Sequence, residues 1–442
     1  MCRYSIGDRR FVEELVVDAP PGGRRHAQAA AWQSEAVDAA ARVFYLLAGV
    51  SYYKTAAPQV VDLGGVATTP EEKSFLRTFY LEGLAEFAYR NRLDLSGLEL
   101  VGPDRTQRPV VADFAPGRPL VPFGGGIDSI VTAEVVRRRH PSTSLFVVSR
   151  AGARFDAIER AAEVTGLPVV RADRTIDPSL LRSAELGFLN GHVPVTGILS
   201  AAAVLAAVTC GHDAVVMSNE RSASVATIES GGRPVNHQWS KSIEFETGFR
   251  RALAGAFEQP PEYFSLLRGC SELWVAERFA RLERYHRVFR SCNRAFHIDP
   301  ARRLDHWCAE CDKCCFIDLV LAPFMDRDRL AEVFEGREPL ENDALAPRFR
   351  ALLGIGPDPK PFECVGDVEE CRVAAALTAE RPDRATNPLV RSLGDDARGA
   401  LGATGPARAA EELVARDAPH FVPEGFLEDG ALDPERLGAP RT

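Results

Sequence analysis

The chain has 442 residues, 45% of them hydrophobic and 26% charged, with a formal net charge of −9 and a pI near 5.6. It is long enough for a large core and two or three structural units. Its acidic balance argues against a general nucleic-acid binder, which carries a basic excess.

In chain order, the opening MCRYSIGDRRFVEELVV lacks a long apolar stretch, so no secretory leader is expected. Residues 1–115 read as a separate, partly helical unit. AWQSEAVDAAARVFYLLAGV (31–50) has helical apolar spacing, and Thr69, Pro70 and the acids after them form a helix start. PDRTQRPVVADFAPGRP (103–119) reads as a linker.

Residues 116–260 alternate apolar runs with helical stretches. The runs are LVPF (120–123), SLFVVSR (144–150), LPVVRAD (167–173) and DAVVMSN (213–219). This succession predicts an α/β fold, a doubly wound parallel sheet buried on both faces. The Ala-rich run at 195–210 is too short for a membrane span and reads as a buried helix, with no membrane partner expected. A helical, cysteine-rich region follows at 261–375. The last stretch, 376–442, rich in Ala, Arg, Asp and Pro, is expected to be peripheral or partly disordered.

VPFGGGIDSIVTAEVV (121–136) sets Gly124, Gly125 and Gly126 where the first buried strand hands over to a helix. Glycines there let the backbone turn sharply and approach a ligand without a Cβ in the way, and the free N–H groups of the helix start attract phosphate. Ser129 can donate to phosphate. Asp128 cannot favour a bare anion, and so points to Mg²⁺ or to backbone N–H groups.

Seven of the ten cysteines lie at 292 or beyond. In a long chain without a leader such clustering suggests metal or reduced thiols and a cytoplasmic location. Cys308, Cys311 and Cys314, with Cys292 upstream, have the spacing of a tetrahedral, structural Zn²⁺ site. His297 and His306 compete as ligands, an iron–sulfur cluster is the other use for four cysteines, and Cys315 packs as a small hydrophobe.

The glycine turn resembles the S-G-G-x-D-S loop of the ATP pyrophosphatases, with Phe123 and Gly124 around the position of the usual leading Ser. Together with NGHVPVTGILS (190–200), SNERSAS (218–224), VNHQWSKSIEFETGF (235–249), the cysteine segment, FIDLVLAPF (316–324) and PFECVG (361–366), it is similar to the ATP-dependent UDP-N-acetylmuramoyl-L-alanyl-L-glutamate epimerases of bacterial cell-wall synthesis, over about residues 40–375. That resemblance implies ATP and Mg²⁺ as requirements, a nucleotide-sugar peptide as substrate, and an acyl-adenylate that loosens the glutamyl α-hydrogen.

Candidates for moving that proton are Glu220, His237 and Lys241, with His192, Glu244 and Glu246 nearby. The last two also read as a solvated helix face, and the histidines as ordinary hydrogen-bonded ones. Arg150 and Arg154 are candidate phosphate partners. Two other readings of the residues stand beside this one: another adenylating enzyme, acting on a different peptide or on tRNA or a nucleobase, and a non-catalytic scaffold stabilised by zinc.

Overall fold

The computed structural model describes residues 1–18, 34–106, 108–226, 228–230, 232–297, 299–357, 360–363, 365–402, 405–414 and 420–427. The central sheet has seven strands: β1 (Cys2–Ile6), β2 (Arg9–Val17), β3 (Ala115–Pro122), β4 (Ser144–Arg150), β5 (Val169–Thr175), β6 (His212–Met217) and β7 (Glu262–Ser265). Their order is β1-β2-β5-β4-β3-β6-β7. The last five are parallel, as the apolar runs predict.

Residues 1–115, expected as a separate unit, are joined to this sheet. The β1–β2 hairpin pairs antiparallel with β5, from Glu14 opposite Thr175 to Val17 opposite Ala172. Strand pairing is a long-range event, and local patterning in the first 115 residues carries no mark of it.

The helices used below are α1 (Glu35–Ala48), α2 (Pro70–Gly83), α3 (Ala85–Asn91), α4 (Ile127–Arg139), α5 (Asp156–Thr165), α6 (Val195–Cys210), α7 (Ile243–Ala256), α8 (Glu272–Ala280), α9 (Asp312–Leu321), α10 (Val368–Ala379) and α11 (Pro388–Leu401). Helix α2 starts where its sequence says it should. Thr69 caps it in a capping box with Glu72, and Pro70 opens the first turn. Among the described residues no helix is long and apolar enough to cross a membrane, and the 195–210 run is the buried helix α6.

Alternation along the strands sorts the core into two layers. Val121, Leu145, Val216 and Phe264 join a cluster with α4, α5 and the C-terminal helices. Leu120, Phe146, Val215 and Tyr263 join another with α1, α2, α6 and α7. Both faces of the parallel sheet are therefore covered, which is why its strands read as continuous apolar runs.

The region beyond 375, expected to be peripheral, contributes to the first of these layers. Leu389, Val390 and Leu393 of α11 are buried, and so are Ala409 and Leu413 of the helix Pro406–Val414. A Cβ at Gly394 would lie only 2.3 Å from the Ala379 side chain, so α10 and α11 pack almost backbone to backbone. Small residues that look like a featureless Ala/Gly tract are what permits that approach. Residues 428–442 of the expected tail lie outside the described ones.

Candidate active site

Strand order reverses between β3 and β6, so their C-terminal ends flank the crevice where open α/β sheets take ligands. The glycine loop leaves β3 at this point. Gly125 has φ +74, and a Cβ on it would meet the Ala157 carbonyl oxygen at 2.6 Å; only glycine fits. Nothing lies within 4 Å of a Cβ at Gly124, which faces open space. Gly126 caps α4 without a side chain. The first N–H groups of α4 thus have no side-chain acceptor from the cap, the condition in which a helix start takes phosphate.

Ser129 does not present its hydroxyl as expected. It is 7% exposed and donates to the Gly126 carbonyl at 3.1 Å, bracing the turn. Arg150 sits at the exposed end of β4, on the same edge of the sheet. Arg154 makes a 3.9 Å pair with Glu159 on α5.

Asp128 in the first turn of α4, Glu220 just after β6 and Glu272 in the first turn of α8 bring one carboxylate oxygen each within 4.8 Å of one another. Glu220 is 3% exposed and Glu272 3%. Burial, and then the neighbouring Asp128 and Glu220, push the Glu272 carboxyl well above its ordinary range. A hard divalent cation takes such an oxygen set and would relieve the crowding, so these residues fit Mg²⁺.

Glu370, on α10, stands behind them and is fully buried. It accepts the Glu272 backbone N–H at 3.1 Å and closes the capping box of α10 with Asp367. Burial, with Asp367 adding to it, pushes its carboxyl up to about 8.

Lys241 and His237 lie on the loop before α7, at the same edge of the sheet. Arg268, 2% exposed, spans the gap: it donates to the carbonyls of Glu220 (3.0 Å) and Lys241 (2.5 Å) and to the Glu246 carboxylate (3.0 Å). Glu246 is therefore no solvated helix face. It is 1% exposed and also accepts the Ser265 N–H at 3.0 Å, whereas Glu244 is exposed and accepts from the Trp239 indole. Lys241 Nζ donates to Gln238 Oε1 at 2.9 Å.

His237 Nδ1 is hydrogen-bonded to Glu86 of α3, which also accepts from Arg90 at 2.6 Å. Burial pushes the Glu86 carboxyl up, but the hydrogen bonds and charges of His237 and Arg90 outweigh it and hold the group below its ordinary value. The His192 ring packs on His237 with centroids 4.3 Å apart. Burial, with His237 beside it, pulls His192 down to about 4, so it is neutral at physiological pH.

Cys292, Cys308, Cys311 and Cys314 converge as their spacing predicts, with all four sulfurs within 4.8 Å of one another. Cys314 Sγ lies 3.6 Å from Cys308 Sγ and 3.4 Å from Cys311 Sγ, near the separation of about 3.8 Å that tetrahedral Zn²⁺ with 2.3 Å bonds imposes. The donor set fits structural zinc. His297 and His306 bond instead to Asp299 and Asp305 next to them, and Cys315 is buried in the core. The cysteines also reach the loop: Ser291, beside Cys292, would sit 3.0 Å from a Cβ on Gly126.

Four site residues are not apparent from the sequence: Glu86, Arg268, Glu272 and Glu370. For Glu272 a signal existed, because an acid after Ser271 opens a helix immediately beyond a parallel strand, and such helix starts lie at the ligand edge. The others carry no local sign.

Family models described as the MurL N-terminal domain and the MurL C-terminal domain match residues 1–266 and 288–406. A relative from Xanthomonas oryzae pv. oryzae is 39% identical over 95% of this chain and 90% of its own length. One from Salinispora tropica is 42% identical over 88% and 82%, and one from Micromonospora sp. 40% over 96% and 91%. All three are named UDP-N-acetyl-alpha-D-muramoyl-L-alanyl-L-glutamate epimerase. No solved structure matches the chain. With both family models spanning the sheet, the glycine loop and the cysteine cluster, and with relatives this similar over nearly its whole length, the chain belongs to the MurL family.

Proposed function

We propose that the protein inverts the α-carbon of the terminal glutamate in UDP-MurNAc-L-Ala-L-Glu, spending ATP to do so. The observation that carries the ATP part is the meeting, at the point where strand order reverses, of an uncapped helix start, an open glycine loop and three carboxylates. The name that the relatives share supplies the substrate and the inversion.

The chemistry needs both halves. The α-hydrogen beside a free carboxylate resists removal, because the carbanion would form next to a negative charge. Attack of the carboxylate oxygen on the α-phosphate of ATP gives an acyl-adenylate and pyrophosphate, which masks that charge. The carbonyl then accepts the electron pair as the proton leaves.

The backbone N–H groups of the loop hold the departing phosphates. Asp128, Glu220 and Glu272 would hold Mg²⁺, whose charge supports pyrophosphate as a leaving group. His237 removes the proton and Lys241 returns one, with their roles exchanged in the reverse direction. Water finally releases AMP and the D-glutamyl product. The four cysteines would hold zinc as a structural element of the loop's support.

The test is incubation with ATP, Mg²⁺ and UDP-MurNAc-L-Ala-L-Glu in D₂O. AMP, pyrophosphate and deuterium at the glutamyl Cα should appear together. Cα deuteration that persists after ATP has been destroyed enzymatically would refute the coupling. AMP without deuteration would indicate a different acceptor.

A further inference from the structure

The base proposed above needs a partner that its own loop does not supply. His237 has one of its nitrogens, Nδ1, committed to Glu86, which lies 151 positions earlier in the chain on α3. Both oxygens of that carboxylate are used, Oε2 by His237 and Oε1 by Arg90. The Glu86 side chain is 6% exposed and that of His237 13%, so the carboxylate is shut away behind a ring that is itself largely buried.

The ring is also held on its faces. His192 packs against it with centroids 4.3 Å apart, and Phe362 approaches edge-on at 6.4 Å. The loop carrying His192 is itself pinned by Lys54, whose Nζ donates to Asn190 Oδ1 at 2.8 Å and to the Gly191 carbonyl at 3.1 Å. Arg268 fixes the position of the whole loop relative to Glu220, since it bonds the Lys241 and Glu220 carbonyls at once. A carboxylate buried against an imidazole at the ligand edge, and anchored at both oxygens, is arranged to hold one tautomer and one ring orientation.

We propose that Glu86 and His237 form a single proton-transfer unit, in which Glu86 is the positioning residue that keeps Nδ1 protonated and presents Nε2 to the glutamyl α-hydrogen. The proposal rests on the epimerase reading. In the step itself the Cα–H bond breaks, the proton passes to Nε2, and the bonding pair moves into the adenylated carbonyl. The imidazolium formed is balanced by the Glu86 carboxylate. A proton then returns to Cα from the second group, and both groups re-equilibrate with solvent, leaving no net proton change.

Glu86→Gln, Glu86→Asp and Arg90→Ala should be compared with the unaltered chain in two assays: exchange of labelled pyrophosphate into ATP, which reads adenylation alone, and Cα deuteration in D₂O with ATP present. Glu86→Gln should slow deuteration about 100-fold while pyrophosphate exchange continues. The acid limb of its deuteration profile should move to lower pH, because loss of the negative partner lowers the imidazolium pKa. The groups that bear on this titration are Glu86 with Arg90 from α3, His192 with Lys54 beside it, and Lys241 on the same loop. Glu86→Asp should recover part of the rate, and Arg90→Ala should keep most of it.

Deuteration by Glu86→Gln at the unaltered rate with an unmoved acid limb would overturn the proposal. So would an equal fall in both assays, the mark of a merely structural role. A transition-metal equivalent beyond that of the cysteines, lost in Glu86→Gln, would also overturn it. If Glu86→Gln does not fold, His237→Gln in the same two assays decides: deuteration lost with pyrophosphate exchange kept supports the pair, and deuteration kept overturns it. Absence of pyrophosphate exchange in the unaltered chain would count against the adenylation reading and not against the Glu86 pair, which Cα deuteration judges separately.

Discussion

Two neighbouring glycines show how differently adjacent positions are constrained. Alanine at Gly125 must adopt a positive φ and drive its Cβ into the Ala157 carbonyl, whereas alanine at Gly124 meets nothing. Gly125→Ala should therefore lower stability by about 1–3 kcal/mol, seen as a reduced melting temperature. Gly124→Ala should melt normally, and, on the ATP-dependent reading proposed above, lose ATP affinity, because its methyl group enters the open space over the start of α4. Equal melting temperatures for the two variants would contradict this account. Asp128→Ala should abolish AMP formation with the fold intact, and near-normal turnover would remove the loop from the mechanism.

Glu370 gives a pH signature of its own. Its folded-state pKa of about 8 lies above the ordinary carboxylate value of 4.5, so between those limits the folded chain binds more protons than the unfolded one. Its contribution to stability is thus fully present below pH 4.5 and is lost as pH rises towards 8. Replacement by Gln removes that dependence. In magnesium-free buffer the melting temperature of Glu370→Gln, relative to the unaltered chain, should climb between pH 5 and pH 8. A flat difference would mean that the carboxyl is ionised throughout.

The secondary-structure elements meet in the site at their ends. Helices α4, α7 and α8 all start at the C-terminal edge of the sheet, and what holds those starts in register is polar. Arg268 and Glu246, each 2% exposed by side chain, form the tie between the β7 end and the loop before α7. Removing one partner of a buried pair leaves an uncompensated charge and costs about 3–5 kcal/mol. Arg268→Met should therefore unfold at markedly lower denaturant, and Arg268→Met combined with Glu246→Leu should recover much of the loss. A double variant no better than the single one would show that the pair matters through its backbone contacts alone.

The cysteine cluster works in the same way. It anchors the start of α9 and the Ser291 contact behind the glycine loop, so, with zinc held there as proposed above, Cys308→Ser should lose metal and melting temperature together. A stable variant that is only slow would contradict a structural role.

Across the molecule, one apolar cluster runs from Val121 and Phe264 of the sheet through Trp307 and Phe316 to Leu393 and Leu413. The two family models divide the chain between residues 266 and 288, yet the core does not divide there. A chain ended at residue 287 would expose one face of the sheet and lose Glu370 and the cysteines. It should aggregate or unfold without cooperativity, which calorimetry would show.

What could be read from the sequence was local. Apolar runs gave the parallel strands β3 to β6, three glycines gave the turn and its helix, and the cysteine spacing gave the four-sulfur cluster. In each case the signal is written within one short segment, as an apolar run, a turn or a spacing, whichever distant segment it later meets. The sheet order, the hairpin beside β5, the packed helices beyond 375 and the approach of Glu86 to His237 are long-range choices. They follow from which buried surfaces and polar groups find each other once the chain is compact. No periodicity at residue 86 announces a histidine at 237; only the packing of α3 at the sheet edge brings them together.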